Sequence, residues 1–204
     1  VELPHANTLL PYNYLDETAY QFVSVYTRTL YAPEAWRARR VFVRFEGVMA
    51  YAEVFCNDVP VGAHKGGYTP FTVELTHHLR IGAENTLRVR VNSTERPDIP
   101  PCGNVVDYLT YGGIYRDVTL HVVPAAHFAL AENGAVPVKV TPIVTDLDAR
   151  RCEVTVEAAV VGAESVTFTL DGQQTSSAVK DGTAKAVFTL EHARLWDGVD
   201  DPHL

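Results

Sequence analysis

Apolar and polar residues alternate along most of the chain, which predicts β-strands rather than helices. Apolar residues recur at every second position in five separate runs, at 41–45, 87–91, 136–140, 154–158 and 186–190. Side chains two residues apart share one face of a strand, so each run has one face for a core and one for solvent. We expect Val43 and Val89 to face the core. The predicted fold class is all-β.

The same pattern limits the helices and places one turn. No window of about a dozen residues keeps apolar positions at helical spacing, so helix should be confined to a turn or two around residues 33–38. Asn57 and Asp58 stand between two alternating runs. Both residue types tolerate the positive φ of a two-residue hairpin, so a hairpin is predicted there. Asn92-Ser93-Thr94 has the form of a glycosylation triplet, but we interpret it as a strand end.

The length and one break in the alternation predict two domains. The chain has 204 residues, whereas a common domain has roughly 100–150. Alternation stops at residues 123–126, where Pro124 could not donate to a central ladder. We therefore expect a jelly-roll-like β-sandwich over residues 1–124, followed by an immunoglobulin-like β-sandwich of roughly seven strands over residues 125–204.

Composition argues against several function classes. The net charge of −8 opposes nucleic-acid backbones, and no apolar run approaches the ~20 residues that cross a bilayer. The three cysteines form no Cys-x-x-Cys pair, so reduced thiols are expected and a cytoplasmic location is favoured, with export left open. The eight histidines form no metal-ligand spacing, since the adjacent His77 and His78 would point to opposite faces of a strand. No phosphate-binding loop is present. We predict no metal and no cofactor.

Two glycine-containing segments carry a family resemblance. They are AEVFCNDVPVGAHKGGYTPF at 52–71 and DYLTYGGIYRDV at 107–118, and their order and spacing resemble glycoside hydrolase family 2. The resemblance implies a sugar-binding, galactose-binding-like domain over residues 1–124, lacking its first strand or strands, and then an immunoglobulin-like domain. The segment LWDGVDDPHL at 195–204 resembles the family's strand that leads into a catalytic barrel.

The chemistry of the family needs residues that this chain lacks. Retaining glycoside hydrolysis uses two carboxyl groups about 5–5.5 Å apart. In the family both are barrel glutamates, one typically following an asparagine, and the chain contains no Asn-Glu dipeptide. We therefore predict no catalytic residue here and no activity of this chain alone. The parent protein is expected to be a retaining β-glycosidase of carbohydrate metabolism, with a β-galactosidase favoured. Its catalytic barrel would be an intramolecular partner of these two domains.

Asp107 is the single candidate substrate-binding residue. It precedes the paired glycines Gly112 and Gly113 and follows a stiff, proline-rich loop at 97–101. The resemblance implies that such an aspartate accepts hydrogen bonds from the sugar; the alternative is an Asx-type cap of its own turn. The glycines either permit a close approach of another segment or form a bulge. Arg116 is either an interdomain anchor or a plain surface arginine.

Two other functions remain open at this point. The aromatic residues Tyr12, Tyr14, Tyr20, Tyr26, Tyr31 and Trp36 could form the stacking platform of a free-standing carbohydrate-binding module. Core or domain-interface packing is the favoured interpretation, because Tyr20, Phe22, Ser24 and Tyr26 share one face at period two. A purely structural pair of sandwiches is the third alternative. A homo-oligomer is possible, but the sequence does not reveal the oligomeric state.

Overall fold

A computed structural model describes residues 1–9, 16, 18–102, 110–196 and 198–199. The described part consists of strands and two short 3-10 turns, Glu34–Trp36 and Thr76–His78, with no α-helix in it. Its helical turns are too short and too polar to span a bilayer. The all-β prediction is confirmed. The turn expected around residues 33–38 is present at Glu34–Trp36, whereas the second turn, Thr76–His78, lies outside the range to which helix was expected to be confined.

The chain divides into two compact units. Unit 1 comprises Val1–Ala125 and Leu130–Ala135, and unit 2 comprises Ala126–Ala129 and Val136–Leu204. The short return of the chain to unit 1 is held by hydrogen bonds: Thr72 N donates to Glu132 O at 2.9 Å, and Arg44 Nη1 donates to Gly134 O at 3.2 Å. The boundary predicted at residue 124 does not include this return of Leu130–Ala135 to unit 1.

Unit 1 is a sandwich of two antiparallel sheets with a further two-stranded sheet. Its strands are β1 His5–Ala6, β2 Val23–Ala32, β3 Arg40–Phe45, β4 Tyr51–Cys56, β5 Val59–Lys65, β6 Phe71–Glu74, β7 Ala83–Asn92, β8 Gly113–Ile114 and β9 Val118–Val123. The larger sheet has the order β2-β7-β4-β5, the smaller has the order β6-β3-β9, and β1 pairs with β8. The triplet at Asn92 is thus a strand end, as predicted.

The core of unit 1 lies between the two sheets. Val43 of β3 is 2% exposed and Val89 of β7 is 4% exposed, and both belong to one apolar cluster with Phe45 and Val54. The alternating residues of β7 point outward and carry charge, as Arg90 does where it bonds Glu53 of β4. The predicted core face is therefore confirmed, because alternation assigns every second side chain to the same side of the sheet.

The predicted hairpin joins β4 to β5. Asn57 and Asp58 have φ values of 51° and 66°, and Cys56 pairs with Val59 across the turn. Two successive residues with positive φ define the turn type that matches the twist of paired strands. The Asn57 amide also donates to His78 O and to Asn85 Oδ1, each at 2.8 Å. This side chain ties the hairpin to the neighbouring 3-10 turn.

Two local expectations were wrong. His77 and His78 lie in the 3-10 turn Thr76–His78 and not on a strand, because His78 N donates to Leu75 O at 2.9 Å and so closes a turn. The proposed core face of residues 20–26 begins too early, since β2 starts at Val23 and Phe22 is 41% exposed. Only the part of that face from residue 24 onward turns inward.

Unit 2 is a smaller sandwich centred on one long strand. Its described strands are β10 His127–Phe128, β11 Val138–Asp146, β12 Arg151–Val161, β13 Ser165–Leu170, β14 Gln173–Ala178 and β15 Thr183–Leu190. Strand β12 pairs with β10, β11 and β15, while β13 and β14 form a separate hairpin. Val154, Phe168 and Phe188 lie in its apolar core. The described part has six strands where roughly seven were expected.

We expect the substitution Val43→Asp to unfold unit 1. An unpaired carboxylate in this core would cost at least about 4 kcal/mol of unfolding free energy. The matched control is Val25→Asp, because Val25 is 58% exposed on β2 and should change stability by at most about 0.5 kcal/mol. Urea unfolding followed by tryptophan fluorescence measures both, and equal midpoints for the two variants would show that the core face is misassigned.

Candidate functional site

Asp107 lies outside the described residues, so its contact with sugar stays a prediction. The structure describes the chain on both sides of it, up to Cys102 and from Thr110 onward. The candidate site is therefore built from the segments that flank this stretch or contact its flanks. They are residues 47–50, 66–70, 93–102 and 112–116, which we call the loop frame.

Met49 and Ala50 join the other three segments of the loop frame. Met49 N donates to Gly113 O at 3.0 Å and Gly113 N donates to Met49 O at 3.3 Å. Ser93 Oγ donates to the same Met49 oxygen at 2.8 Å, and Gly66 N donates to Ala50 O at 2.9 Å. Ser93 is only 3% exposed, and a hydrogen bond away from water is electrostatically stronger. These two residues connect both flanks of the Asp107 stretch.

The paired glycines allow two segments to approach closely. A Cβ on Gly113 would lie 2.6 Å from Tyr26 Oη and 2.8 Å from His5 O, and a Cβ on Gly112 would lie 2.7 Å from Ser93 Oγ. Gly113 also has a φ of +103°, which side chains other than hydrogen rarely permit. Of the two interpretations, the described structure favours close approach. The approaching segments are β1 and β2 of the same unit.

Tyr115 and Arg116 brace the loop at residues 66–70. Tyr115 Oη donates to Gly67 O at 2.5 Å, and Arg116 Nη1 donates to Tyr68 O at 3.1 Å. The Arg116 guanidinium also lies 5.2 Å from the centre of the Tyr115 ring. Burial raises the pKa of Tyr115, so its hydroxyl remains a donor at neutral pH. Within the described residues, Arg116 therefore supports a loop of its own unit.

Residues 93–102 form an arm that packs against the start of β4. Ile99 is 2% exposed and lies in an apolar cluster with Met49 and Ala50, against which Tyr51 and Tyr115 also pack. An apolar side chain buried to this extent contributes about 1.5–3 kcal/mol. The arm leading to Asp107 is therefore anchored on the same residues that hold Gly113.

Charged residues form a second anchor of this arm. Asp98 accepts a hydrogen bond from Lys65 Nζ at 2.6 Å and two from Arg96, at 2.9 Å from Nε and 3.2 Å from Nη2. The Arg96 guanidinium lies 5.3 Å from the centre of the Tyr51 ring. Hydrogen bonds from Arg96 and then Lys65 hold the pKa of Asp98 far below its usual range. We call Lys65, Arg96 and Asp98 the Asp98 cluster.

Two glutamates of unit 1, Glu74 on β6 and Glu46 directly after β3, are engaged in ion pairs. Arg40 and Glu74 form two hydrogen bonds of 2.7 and 2.6 Å, and Arg44 bonds Glu46 at 2.6 Å. Hydrogen bonds from these arginines lower the pKa of Glu74 and of Glu46. A general acid in a glycosidase requires the opposite shift. Among the described carboxyl groups, every resolved pKa shift is downward, so these groups have the character of structural ion-pair partners.

The described histidines and cysteines do not form a metal centre. No three His, Cys, Asp or Glu side chains of the described residues lie close enough together to hold an ion. Cys56, Cys102 and Cys152 are all free thiols. His64 stacks on Phe71 with ring centres 4.5 Å apart, and burial lowers its pKa. It packs as a mostly neutral ring.

The aromatic residues considered for a stacking platform do not form one in the described structure. Tyr26 and Trp36 pack against the core of unit 1, while Tyr31 is 57% exposed. Tyr12 and Tyr14 lie outside the described residues. Stacking on a sugar ring needs exposed aromatic faces on a shared surface, so core packing is the better interpretation of Tyr26 and Trp36.

A groove of 1060 Å³ opens between β2 and β9. Its lining includes Val43, Phe45 and Val89, which are core residues of unit 1, together with residues near the N-terminus. Polar side chains also line it, among them Glu2, His5, Ser24, Arg28 and Asp117. The groove reaches the core between the sheets of unit 1, whereas the loop frame holds both flanks of the Asp107 stretch, so the loop frame is the better candidate for the predicted sugar contact.

Residues 7–124 match the sequence model of the glycosyl hydrolases family 2 sugar binding domain. The chain belongs to glycoside hydrolase family 2. The resemblance carried by the segments at 52–71 and 107–118 is thus confirmed.

The similar proteins are considerably longer than this chain. A β-galactosidase of Thermoanaerobacterium thermosulfurigenes is 52% identical over 60% of the chain, which spans 17% of that protein. A β-glucuronidase of Bacteroides fragilis is 32% identical over 88% of the chain, which spans 27% of it. Among solved structures, a candidate β-galactosidase from Bacteroides fragilis superposes with a TM-score of 0.80 at 30% identity, covering 97% of this chain and 32% of that one.

Two parts of the loop frame were missed by sequence reasoning. Met49 and Ala50 lie between two predicted strands and carry no recognisable motif. The Asp98 cluster was noticed only as a stiff proline-rich loop. Lys65 is 33 residues away from Asp98, and such a partner is not visible in the sequence.

We expect Gly113→Ala to destabilise unit 1 by about 3 kcal/mol, because backbone strain and a clash with backbone act together. The control is Gly82→Ala. Gly82 also has a positive φ, of +79°, but a Cβ added there would meet only the movable carboxylate of Glu34, so about 1–2 kcal/mol is expected. Chemical denaturation measures both; an equal loss in the two variants would contradict the role of close approach.

Proposed function

We propose that this chain is the noncatalytic N-terminal portion of a retaining β-glycosidase. In this proposal the two units provide scaffold, and the loop frame presents Asp107 to a sugar bound in a catalytic barrel outside the chain. The barrel would supply the nucleophile and the acid/base group. No metal or cofactor is required of this chain.

The observation that carries the proposal is the way in which both flanks of the Asp107 stretch are held. Ile99 on one side packs against Met49, and Gly113 on the other side bonds to the same residue. A stretch with both ends fixed loses less freedom when it binds a ligand than a stretch with free ends. The match of residues 7–124 to a sugar-binding domain supports the same role.

A carboxylate suits the proposed contact. Sugar hydroxyl groups are donors, and an ionised carboxylate accepts such bonds strongly. Each bond of this kind contributes about 1.5–3 kcal/mol when it forms away from water. Asp107 would therefore act in binding and orientation of the sugar, while bond cleavage is left to the barrel.

We infer that the substrate is a β-galactoside. The relative with 52% identity is named a β-galactosidase, whereas the one with 32% identity is named a β-glucuronidase. The longer protein, which would contain this chain and the proposed catalytic barrel, should therefore have a kcat/KM at least tenfold higher for an aryl β-galactoside than for the matching aryl β-glucuronide. A tenfold ratio corresponds to about 1.4 kcal/mol of transition-state stabilisation. Preference for the glucuronide would overturn this assignment and leave the family unchanged.

The role of Asp107 is tested in the longer protein by Asp107→Ala. Loss of one charge-assisted bond should lower kcat/KM by about 1.5–3 kcal/mol, while the thermal midpoint stays nearly the same. The matched control is Asp117→Ala, ten residues further along the same motif, which should leave the kinetics unchanged. Wild-type kinetics for Asp107→Ala would remove this residue from the site.

The chain by itself should not hydrolyse glycosides. All the shifted carboxyl groups in its described part have lowered pKa values, so an acid that donates at neutral pH is not available from them. Purified chain should give no release of nitrophenol from aryl β-galactosides above the buffer rate. Turnover that copurifies with the chain through several columns would contradict the proposal.

A further inference from the structure

We propose that the groove between β2 and β9 accepts an extended segment of the longer protein, which adds to β9 as a fourth strand of the smaller sheet. The occupant would be the segment directly before Val1, because Val1, Glu2 and Leu3 line the groove and chain that precedes them can enter it directly. The expectation that unit 1 lacks a first strand thereby acquires a position. This inference concerns the completion of unit 1 and does not depend on a sugar contact of Asp107.

The two sheets of unit 1 differ by one strand in the described structure. The larger sheet has the order β2-β7-β4-β5, and the smaller has the order β6-β3-β9. At one side the sheets cover each other, because a Cβ on Gly62 of β5 would lie 2.9 Å from Val73 Cγ2 of β6. With β5 over β6, the opposite side leaves β2 without a facing strand among the described residues. The groove lies at that side.

Burial of the inward side chains decreases toward the groove. Val43 and Phe45 of β3 are 2% and 1% exposed. Leu120 and Val118 of β9 pair with them in register, so they face the same side of the sheet. Both are nevertheless only partly buried. The inward face of β9 therefore lacks the cover that the neighbouring strand has.

The edge of β9 that faces away from β3 has free backbone groups. Glu46 N donates to Asp117 O at 3.0 Å. Bonded positions alternate along an antiparallel pair, so the odd-numbered residues of β9 bond β3. The N–H and C=O groups of Val118, Leu120 and Val122 point the other way, and within the described residues β9 pairs with β3 alone. Such an edge can accept a further strand.

The strand edges at the other side of unit 1 carry protective features that β9 and β2 lack. Proteins commonly protect an exposed edge with proline, lysine, a bulge or a short strand. Strand β5 contains Pro60 and Lys65 and has a register shift against β4, and β6 has only four residues. Strands β9 and β2 contain neither proline nor lysine. Edges of this kind are expected to be covered in the longer protein.

The lining of the groove defines the chemistry of its occupant. The floor includes Val43, Phe45 and Val89, so the inward side chains of the segment should be apolar and recur at every second position. Ser24 Oγ and Asn7 Oδ1 belong to residues of the lining, are buried, and have no hydrogen-bond partner among the described residues. Buried polar atoms are normally paired, and the backbone N–H groups of a strand can donate to both.

A single strand fits this groove better than a second copy of the chain or a sugar. A strand that is already bonded in a sheet cannot enter the space between two packed sheets, so a second copy would leave the apolar floor uncovered. A sugar would cover part of the floor but would not continue the ladder of β9. An extended polypeptide segment does both.

Amide hydrogen exchange of the longer protein, read residue by residue by mass spectrometry, tests the inference. With the groove filled, Leu120 and Val122 should exchange within about tenfold of Thr119 and His121, which bond β3 in either case. Deletion of the segment before Val1 should accelerate exchange at Leu120 and Val122 at least about 100-fold and leave Thr119 and His121 within about tenfold. The deleted segment, added as a synthetic peptide, should restore slow exchange, while a scrambled peptide should not.

A matched pair of substitutions covers the case in which the deletion variant does not fold. Leu30 of β2 lines the groove, whereas its neighbour Tyr31 is 57% exposed. In the intact longer protein, Leu30→Glu should lower the thermal midpoint by roughly 5 °C or more, because the segment would cover the carboxylate. Tyr31→Glu should change the midpoint by less than about 2 °C.

Fast exchange of Leu120 and Val122 in the intact longer protein, or equal midpoints for the two variants, would overturn the inference. Slow exchange that survives the deletion would also overturn it, because another part of the protein would then cover the edge. Slow exchange that requires high protein concentration would assign the groove to a second copy, and slow exchange that requires added galactoside would assign it to a sugar. None of these outcomes alters the test of Asp107→Ala, so the proposed function stands or fails separately.

Discussion

Burial of alternate side chains between two sheets is the interaction on which the rest of this structure depends. Val43 and Phe45 on β3 face Val54 on β4 and Val89 on β7, and these residues form one apolar cluster. A register shift of one residue in any of these strands would move its apolar side chains from the core face to the face exposed to water. Register is therefore specified throughout unit 1, and with it the positions at which each strand ends and each loop begins.

The loop frame inherits its geometry from those strand ends. Met49 and Ala50 precede β4, Ser93 follows β7, and Gly113 begins β8, so a correct register brings all of them to one place. Once there, the chains are so close that a side chain on Gly113 would collide with Tyr26 and His5. Such close packing therefore requires glycine at these positions, and the glycines allow the backbone bonds that hold both flanks of the Asp107 stretch.

In the loop frame the apolar contacts are buried and the charged contacts are exposed. Ile99 is buried, whereas Lys65, Arg96 and Asp98 remain accessible to water. Glu46 and Glu74 are likewise held by arginines, and their lowered pKa values suit ion pairs better than proton donation. The chain is consistent in this respect with a domain that holds and orients, in a family whose bond cleavage is assigned to another domain.

Local sequence determined the elements, and tertiary packing determined the site. Alternation around Val43 and Val89 and the positive-φ pair Asn57 and Asp58 were readable because each depends on neighbours one or two residues away. His77 and His78 were misread because a turn and a strand end look alike over two residues. The bonds from Lys65 to Asp98 and from Ser93 to Met49 join residues 33 and 44 positions apart. Such contacts exist only after the sheets have packed, because no local pattern encodes which strand ends will meet.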